Sequence, residues 1–215
     1  MTLTLYYHPL SSFCHKVLIA LYENDTPFMP HFVDLQDATA AANFKKMWPV
    51  GRFPVLHDSA GDRMVPESSI IIEYLAQHYP GKSKLMPDDP DLARQMRMRD
   101  RFFDLYLHVP MQKIITDRLR PEGRNDPHGV EEARAMHRTS LGMLEQEIGS
   151  KRWIMGDTFT MADCAAAPAL FYTDMTMPLG DTYKNVAAYL RRLKERPSYA
   201  RVLKEAEPYF SMVPQ

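Results

Sequence analysis

The hydrophobic period of the chain changes once, sharply, within its first fourteen residues. Leu3, Leu5 and Tyr7 alternate with Thr2, Thr4 and Tyr6, the period-two pattern of a strand. From Ser12 onward the spacing is helical, with Cys14, Val17, Leu18 and Leu21 on one stripe ending near Asn24-Asp25. Between the two lies a loop carrying Pro9, Ser11 and Ser12. A strand running through a polar loop into a helix leaves free backbone N–H groups beside a hydroxyl. Such a place favours an anion or a thiolate.

The rest of the first eighty residues is read against that unit. Phe28 to Asp34 forms a second strand, and Pro30, which cannot donate to a ladder, places it at a sheet edge. Gln36 to Trp48 holds an Ala-rich short helix. Gly51 to Asp58 is a turn entering a third strand, Ser59 to Asp62 a hairpin loop, and Arg63 to Val65 the return strand. Ser68 is expected to cap a helix with the stripe Ile71, Tyr74, Leu75 and His78, stopped by Pro80-Gly81. The order is β-α-β, a connecting segment, then β-β-α, which is a small mixed sheet with helices.

The polar, proline-bearing stretch 81–89 reads as a linker, and everything beyond it is helical. Asp89-Pro90 and Asp126-Pro127 each pair an N-cap with a proline at the first helical position. Leu92, Met96, Phe103 and Leu107 share a face of a long helix that Pro110 should kink or break. Pro121 to Gly129 reads as a loop, and Leu141, Leu144 and Ile148 mark a helix ended by Gly149. Thr160 to Asp163 has capping-box spacing ahead of an alanine-rich helix, expected to be the buried centre of the second half. Residues 185–196 and 198–206 close the chain. The expected organisation is α/β plus all-α, with domains at 1–80 and 90–215.

Composition narrows the function. A chain of 215 residues with 45% hydrophobic and 25% charged residues is long enough for one large domain or two small ones. A formal net charge of −1 gives no bulk field to recruit nucleic acid or acidic lipid. The apolar runs are too short to span a bilayer, and Met1 to Leu5 has no basic leader. Cys14 and Cys164 therefore read as unpaired thiols in a reducing cytoplasm. No HxxxH, CxxC, Walker A or GxGxxG pattern is present, so no metal site is expected.

Four places can carry chemistry. Of Ser11 and Ser12, one would cap the helix and the other donate to a bound sulfur. Without a GxSxG elbow or an adjacent base, an acyl-enzyme serine is rejected. A free thiol with a pKa of about 8.5 is only a few per cent ionised at neutral pH. Lowering that pKa by about two units takes roughly 2.7 kcal/mol of preferential thiolate stabilisation. One charge-assisted hydrogen bond with a helix terminus is of that order. Cys14 shares the apolar stripe and reads as an inert core thiol, while the Tyr7 phenol is a rival donor. Phe53-Pro54 is either an ordinary trans proline at a strand start or a cis proline turning the Phe53 backbone toward a ligand. Pro66-Glu67-Ser68-Ser69 is a helix start that could hold both charges of an amino acid, Ser68 taking the carboxylate and Glu67 the ammonium. Thr160 and Asp163 read as structural.

Together these stretches resemble the glutathione transferase superfamily, over essentially the whole chain. The resemblance rests on Ser11-Ser12-Phe13-Cys14-His15-Lys16-Val17, Gly51-Arg52-Phe53-Pro54-Val55-Leu56, Pro66-Glu67-Ser68-Ser69-Ile70-Ile71 and Gly156-Asp157-Thr158-Phe159-Thr160-Met161-Ala162-Asp163. It implies a thioredoxin-like N-terminal domain, a helical-bundle C-terminal domain, glutathione as co-substrate, a homodimer and no metal. It also implies that Ser11 activates the glutathione thiol, that Pro54 is cis and that the Phe53 backbone pairs with the cysteinyl unit. Glu67 and Ser68 would hold the γ-glutamyl end, and Arg52 would lie near the glycyl carboxylate. In tyrosine-type classes the catalytic tyrosine sits where Tyr7 stands. The Ser-Ser pair is similar to the zeta class, whose Cys-x-Trp-Arg is replaced here by Phe13-Cys14-His15-Lys16. Ser11 stands at the first cysteine of a thioredoxin CxxC and Cys14 at the second, which disfavours dithiol chemistry. The second substrate is expected against the first C-terminal helix, at Tyr106, His108, Met111 and Ile115, and Phe44 and Trp48 are candidate interface residues. The implied activity is attack of the glutathione thiolate on an apolar electrophile. The alternatives are a glutathione-dependent isomerase or thiol reductase, or a non-catalytic adaptor.

Overall fold

A computed structural model describes residues 2–214; Met1 and Gln215, which end the two expected domains, lie outside the described residues. The N-terminal half runs β1 (Leu3–Tyr7), α1 (Ser12–Glu23), β2 (Met29–Phe32), α2 (Ala38–Met47), β3 (Val55–Asp58), β4 (Arg63–Pro66) and α3 (Ser68–His78). The sheet order is β2-β1-β3-β4. β1 pairs parallel with β2 and antiparallel with β3, in the register Thr4–Met29 and Leu5–Leu56. β2 is an edge strand, exposed along its length, as Pro30 requires.

The helical half follows the loop 79–89. It comprises α4 (Pro90–Phe103), a π-helical turn (Asp104–His108), α5 (Val109–Asp117), α6 (Pro127–Ile148), α7 (Met161–Thr176), α8 (Lys184–Glu195) and α9 (Pro197–Ala206). A 3₁₀ turn, Glu207–Met212, closes it. The α/β plus all-α organisation is thus the one expected from the sequence, and its first half has the thioredoxin-like arrangement. Among the described residues, no helix is long and apolar enough to cross a membrane.

α1 is buried all round and not only on its Cys14-Val17-Leu18-Leu21 stripe. His15 and Lys16, which the sequence places on a polar flank, are 0% and 1% exposed. The cause is tertiary: α7 and α9 pack on α1 beside His15, and Asp100, Asp104 and Ser69 enclose the Lys16 ammonium. α7 can approach closely because Ala165, Ala166, Ala167 and Ala169 leave its surface low. Its start is fixed by Asp163, which accepts the N–H groups of Thr160 (2.9 Å) and Ile154 (3.0 Å) and the Tyr189 hydroxyl (2.5 Å).

Several local expectations are corrected. Ser68 does not cap α3. Glu67 occupies the cap position with φ of +72° and no side-chain cap bond, and Ser68 is the first helical residue. The buried face of α3 is Ser68, Ser69, Ile71, Ile72 and Leu75; His78 is exposed, and Tyr74 reaches out to Asp58 at 2.6 Å. α6 begins at Pro127, so the preceding loop ends at its cap Asp126. Pro110 breaks nothing. It sits in the first turn of α5, directly after the π turn, where the Val109 N–H donates to the Asp104 carbonyl five residues back. The wider turn relieves the clash and the missing donor that proline brings to a helix interior. Phe44 is 3% exposed, in a small core with Val33 and Val55, and Trp48 packs beside it; Phe44 is therefore core and not interface.

Two buried ionic clusters join the halves. Lys16 of α1 meets Asp100 of α4 at 2.5 Å and Asp104 at 3.0 Å. Its ammonium also donates to Ser69 of α3 (2.8 Å), whose hydroxyl donates to Asp100 (2.7 Å). Glu23, at the end of α1, accepts both guanidinium arms of Arg196 at 2.7 Å and the Ser198 hydroxyl at 2.5 Å.

Candidate active site

Ser11 and Ser12 diverge in the folded chain. Ser11 is the N-cap of α1 with φ −75° and ψ 115°, and its oxygen accepts the Cys14 N–H at 3.3 Å. That bond is long, and Ser11 is only half-buried, so its hydroxyl proton is free to point outward. Ser12 is 5% exposed and its hydroxyl is hydrogen-bonded to His108 Nε2. His108 lies flat on Phe13, with ring centroids 4.0 Å apart at 1°. Burial, then the charge of Lys16, pushes the His108 pKa down to about 3, so the ring is neutral at pH 7.

The other thiol-site candidates lie in more buried surroundings. Cys14 is fully buried, and burial pushes its pKa up to about 12, which keeps it a thiol. Tyr7 packs against the main core; burial first, then the charges of Glu205 and Tyr209, raise its pKa. The loop itself is held from below. His15 Nε2 bonds the Pro9 carbonyl at 2.5 Å, and the Tyr172 hydroxyl donates to the Leu10 carbonyl at 2.8 Å.

Ser11 opens on a cavity of about 360 Å³ whose lining includes Arg52, Phe53, Pro54, Glu67 and Ser68. The Phe53-Pro54 peptide bond is cis. Gly51, with φ of +67°, supplies the left-handed turn before it. Ser68 is 5% exposed in the first turn of α3, with the exposed Glu67 carboxylate beside it. A helix N-terminus, a hydroxyl, a carboxylate and a cation thus face one space. Five proposed ligand residues, brought from two separate sequence stretches, converge there with Ser11 from a third. Among the described residues, no group of three or more His, Cys, Asp or Glu is placed to hold a metal ion.

A second cavity of about 470 Å³ adjoins the first and shares Ser11, Leu35, Phe53, Gln112 and Thr116 with it. Met111 and Ile115 line it, as do His8, Ser12, Tyr172 and the tail residues Met212 to Pro214. The assignment of Tyr106 and His108 to this wall is corrected. Tyr106 is 45% exposed against Phe102, outside the cavity, and His108 is buried behind Ser12. Both lie in the π turn, whose extra residue rotates the helix faces by about 100° relative to an unbroken helix. Gln112 and Thr116 went unnoticed in the sequence. They follow Met111 and Ile115 by one residue each, and the helical repeat downstream of Pro110 puts all four on one face.

Residues 5–83 match the family model of the glutathione S-transferase N-terminal domain, and residues 127–192 that of the C-terminal domain. The chain belongs to the glutathione S-transferase family. Glutathione S-transferase F6 of Arabidopsis thaliana is 28% identical over 205 residues, covering 91% of this chain and 96% of its own. FtsZ-localized protein A of Caulobacter vibrioides is 27% identical over 217 residues, covering 95% and 92%. A Methylobacterium radiotolerans glutathione S-transferase, solved in complex with glutathione sulfonate, superposes with a TM-score of 0.82 at 27% identity, covering 94% of each chain. Such a spread of names on one fold leaves substrate and activity to be argued from the site.

Proposed function

We propose that this chain is a glutathione transferase in which Ser11 stabilises the glutathione thiolate for attack on an apolar electrophile in the adjoining cavity. The observation that carries the reading is the shared wall: Ser11 and Phe53 line both cavities, so a sulfur held in the first faces a reactant held in the second. Ser68 and the α3 N–H groups would take the γ-glutamyl carboxylate, Glu67 its ammonium, and Arg52 the glycyl carboxylate. Phe53, preceding Pro54, offers its backbone to the cysteinyl unit. Ser11 is preferred to Ser12 because Ser12 is already engaged by His108, and to Tyr7 because Tyr7 lines neither cavity. Bound this way, the thiol would ionise next to a hydroxyl donor and a helix N-terminus, with its proton leaving to solvent.

Calorimetric titration with glutathione tests binding, and paired Ser11→Ala and Tyr7→Phe variants test the assignment. Loss of turnover in Tyr7→Phe with retention in Ser11→Ala would refute it. A second reading, an adaptor or ligand-binding member without catalysis, draws on the similarity to FtsZ-localized protein A, a relative named for where it localises and not for a transferase activity. Tight glutathione binding without turnover of any electrophile would select it.

A homodimer is part of the proposal. Exposed apolar side chains on β4 (Met64), α3 (Ile70), α4 (Met98) and the π turn (Leu105, Tyr106) are surface that a second copy would cover. Light scattering after size-exclusion chromatography measures it, and a monomer at micromolar concentration refutes it.

A further inference from the structure

The second cavity is lined by two titratable side chains that thiol activation does not use, His8 and Tyr172, and only His8 has an uncommitted polar atom among the described residues. His8 stands three residues before Ser11, whose N–H donates to the His8 carbonyl at 2.9 Å. The Leu10 N–H points at His8 Nδ1 at 3.1 Å. A ring nitrogen that accepts carries no proton, so the neutral imidazole bears its proton on Nε2. Phe53 stacks on the ring at 6.0 Å and 14°, Phe32 leans on it at 5.2 Å, and Tyr209 meets it edge-on at 6.1 Å. The imidazole is therefore fixed in plane and tautomer by its neighbours, while it lines the cavity and Nε2 has no partner among the described residues. Burial lowers its pKa, against the smaller opposing effect of Asp34, which favours the neutral ring at pH 7.

Most other donors around this cavity are spent. The Ser12 hydroxyl is paired with His108, that of Tyr172 with the Leu10 carbonyl, and that of Thr116 with the Gln112 carbonyl at 2.7 Å. Gln112 keeps a free amide, but nothing pins its side chain. A donor that needs no reorganisation is the one that stabilises developing charge.

We propose that His8 is a catalytic hydrogen-bond donor to the second substrate, its Nε2–H taking the oxygen of an α,β-unsaturated carbonyl compound as the thiolate adds. The inference rests on the glutathione transferase reading above. The sulfur lone pair forms the bond to the β-carbon. The alkene π pair shifts to the bond between the α-carbon and the carbonyl carbon, and the carbonyl π pair moves onto oxygen. That enolate oxygen accepts a hydrogen bond from Nε2–H, and His8 keeps its proton. Water protonates the α-carbon, and the hydroxide left behind is neutralised by the proton released when the thiol ionised. A neutral imidazole suits this role, since it polarises without having to be recharged.

The test compares two aryl electrophiles, benzylideneacetone and benzyl chloride. Only the first places charge on oxygen; the second expels it on halide. His8→Asn keeps an acceptor for the Leu10 N–H, in the manner of an Asx turn, and removes the distal donor. His8→Gln restores an N–H near the position of Nε2. His8→Asn is expected to lower kcat/KM for benzylideneacetone by about 10- to 100-fold, at and below the lower end of the range of about 10²–10³ for a lost oxyanion-hole donor. Benzyl chloride should change less than about threefold on the same scale of effects. His8→Gln should recover most of the loss, and glutathione affinity should hold in both variants. Equal losses on both electrophiles, or a Gln112→Leu variant that reproduces the selective loss while His8→Asn does not, would overturn the inference. Wild-type turnover of benzyl chloride but not of benzylideneacetone overturns it alone. Turnover of neither overturns the transferase reading and the inference with it.

Discussion

Replacing Lys16 by Met tests how the two halves are held together. Lys16 is 1% exposed, with Asp100 at 2.5 Å and Asp104 at 3.0 Å, themselves 1% and 6% exposed as side chains. Methionine fills nearly the same volume, so the loss of packing is small. What remains is two buried carboxylates facing each other across the vacated ammonium position, with Arg101, 3.9 Å from Asp104, as the remaining cation beside them among the described residues. Removing one partner of a buried pair costs about 3–5 kcal/mol. For a domain of this size each kcal/mol shifts Tm by roughly 2–4 °C, so a fall of roughly 6–20 °C is expected. The loss should also depend on pH. Burial already raises the pKa of Asp104, and the Lys16 charge is the main influence opposing it. Without that charge its pKa rises further. A carboxyl with a raised folded pKa favours the folded state below its unfolded value, and that advantage disappears as pH rises through the folded value. The destabilisation of Lys16→Met should therefore be largest near pH 7 and shrink toward pH 4 to 5. Urea unfolding followed by far-ultraviolet circular dichroism at several pH values measures it. Adding Asp104→Asn, which removes one buried charge, should recover part of the loss at pH 7. A loss under about 1 kcal/mol, or one that is the same at every pH, would refute the claim that charge burial dominates here.

Four further outcomes are expected. Ser11→Ala should lower kcat/KM for glutathione conjugation by about 10²–10³-fold, in line with a lost oxyanion-type donor, and raise the pKa of the bound thiol read by thiolate absorbance. Ser12→Ala, which cuts the tie to His108, should leave that thiol pKa within about half a unit, well under the two-unit shift sought from Ser11. Glu23 is pushed up by burial but pulled further down by Arg196, Ser198 and Ser83, so its pKa lies below the usual value. Its stabilisation is present above the unfolded pKa and fades as pH falls through the folded one; Arg196→Met should flatten the urea midpoint's decline below about pH 4.5. Asp163→Ala should cost upward of about 3 kcal/mol, because the Ile154 and Thr160 N–H groups and the Tyr189 hydroxyl would all lose a buried acceptor; a loss near that of a surface substitution would contradict the geometry.

Element types were legible because local signals agreed with the fold. The period change after Ser11, Pro30 at an edge, the capped prolines at 90 and 127 and the acidic cap at Asp163 each act within a few residues. What escaped depends on distant neighbours. Nothing near Lys16 announces Asp100 and Asp104, or that α7 would seal the flank carrying His15. The preference for Ser11 over Ser12 rests on His108, ninety-six residues away from Ser12 in sequence, which engages the Ser12 hydroxyl. Ser68 was read as a cap from its residue type, yet Glu67 takes that position with a positive φ that propensity does not suggest. The wall of the second cavity was half visible. Met111 and Ile115 followed from the helix downstream of Pro110, while Tyr106 and His108 were misplaced because a π turn leaves no mark in a hydrophobic pattern.

That turn has a mechanical meaning. α4 and α5 form one rod with a fixed offset between its two ends. The upstream end is fastened to α1 and α3 through Asp100 and Asp104, and the downstream end presents Met111, Gln112, Ile115 and Thr116 to the second cavity. The angle at which those four side chains meet an incoming molecule is therefore set one turn earlier, by how many residues lie between Asp104 and Val109. Shortening that stretch by one would swing the same four residues by about 100° while leaving their sequence untouched. Variation at 111–119 can thus reshape the second cavity without loosening the fastening, whereas a change in length at 104–108 alters both at once.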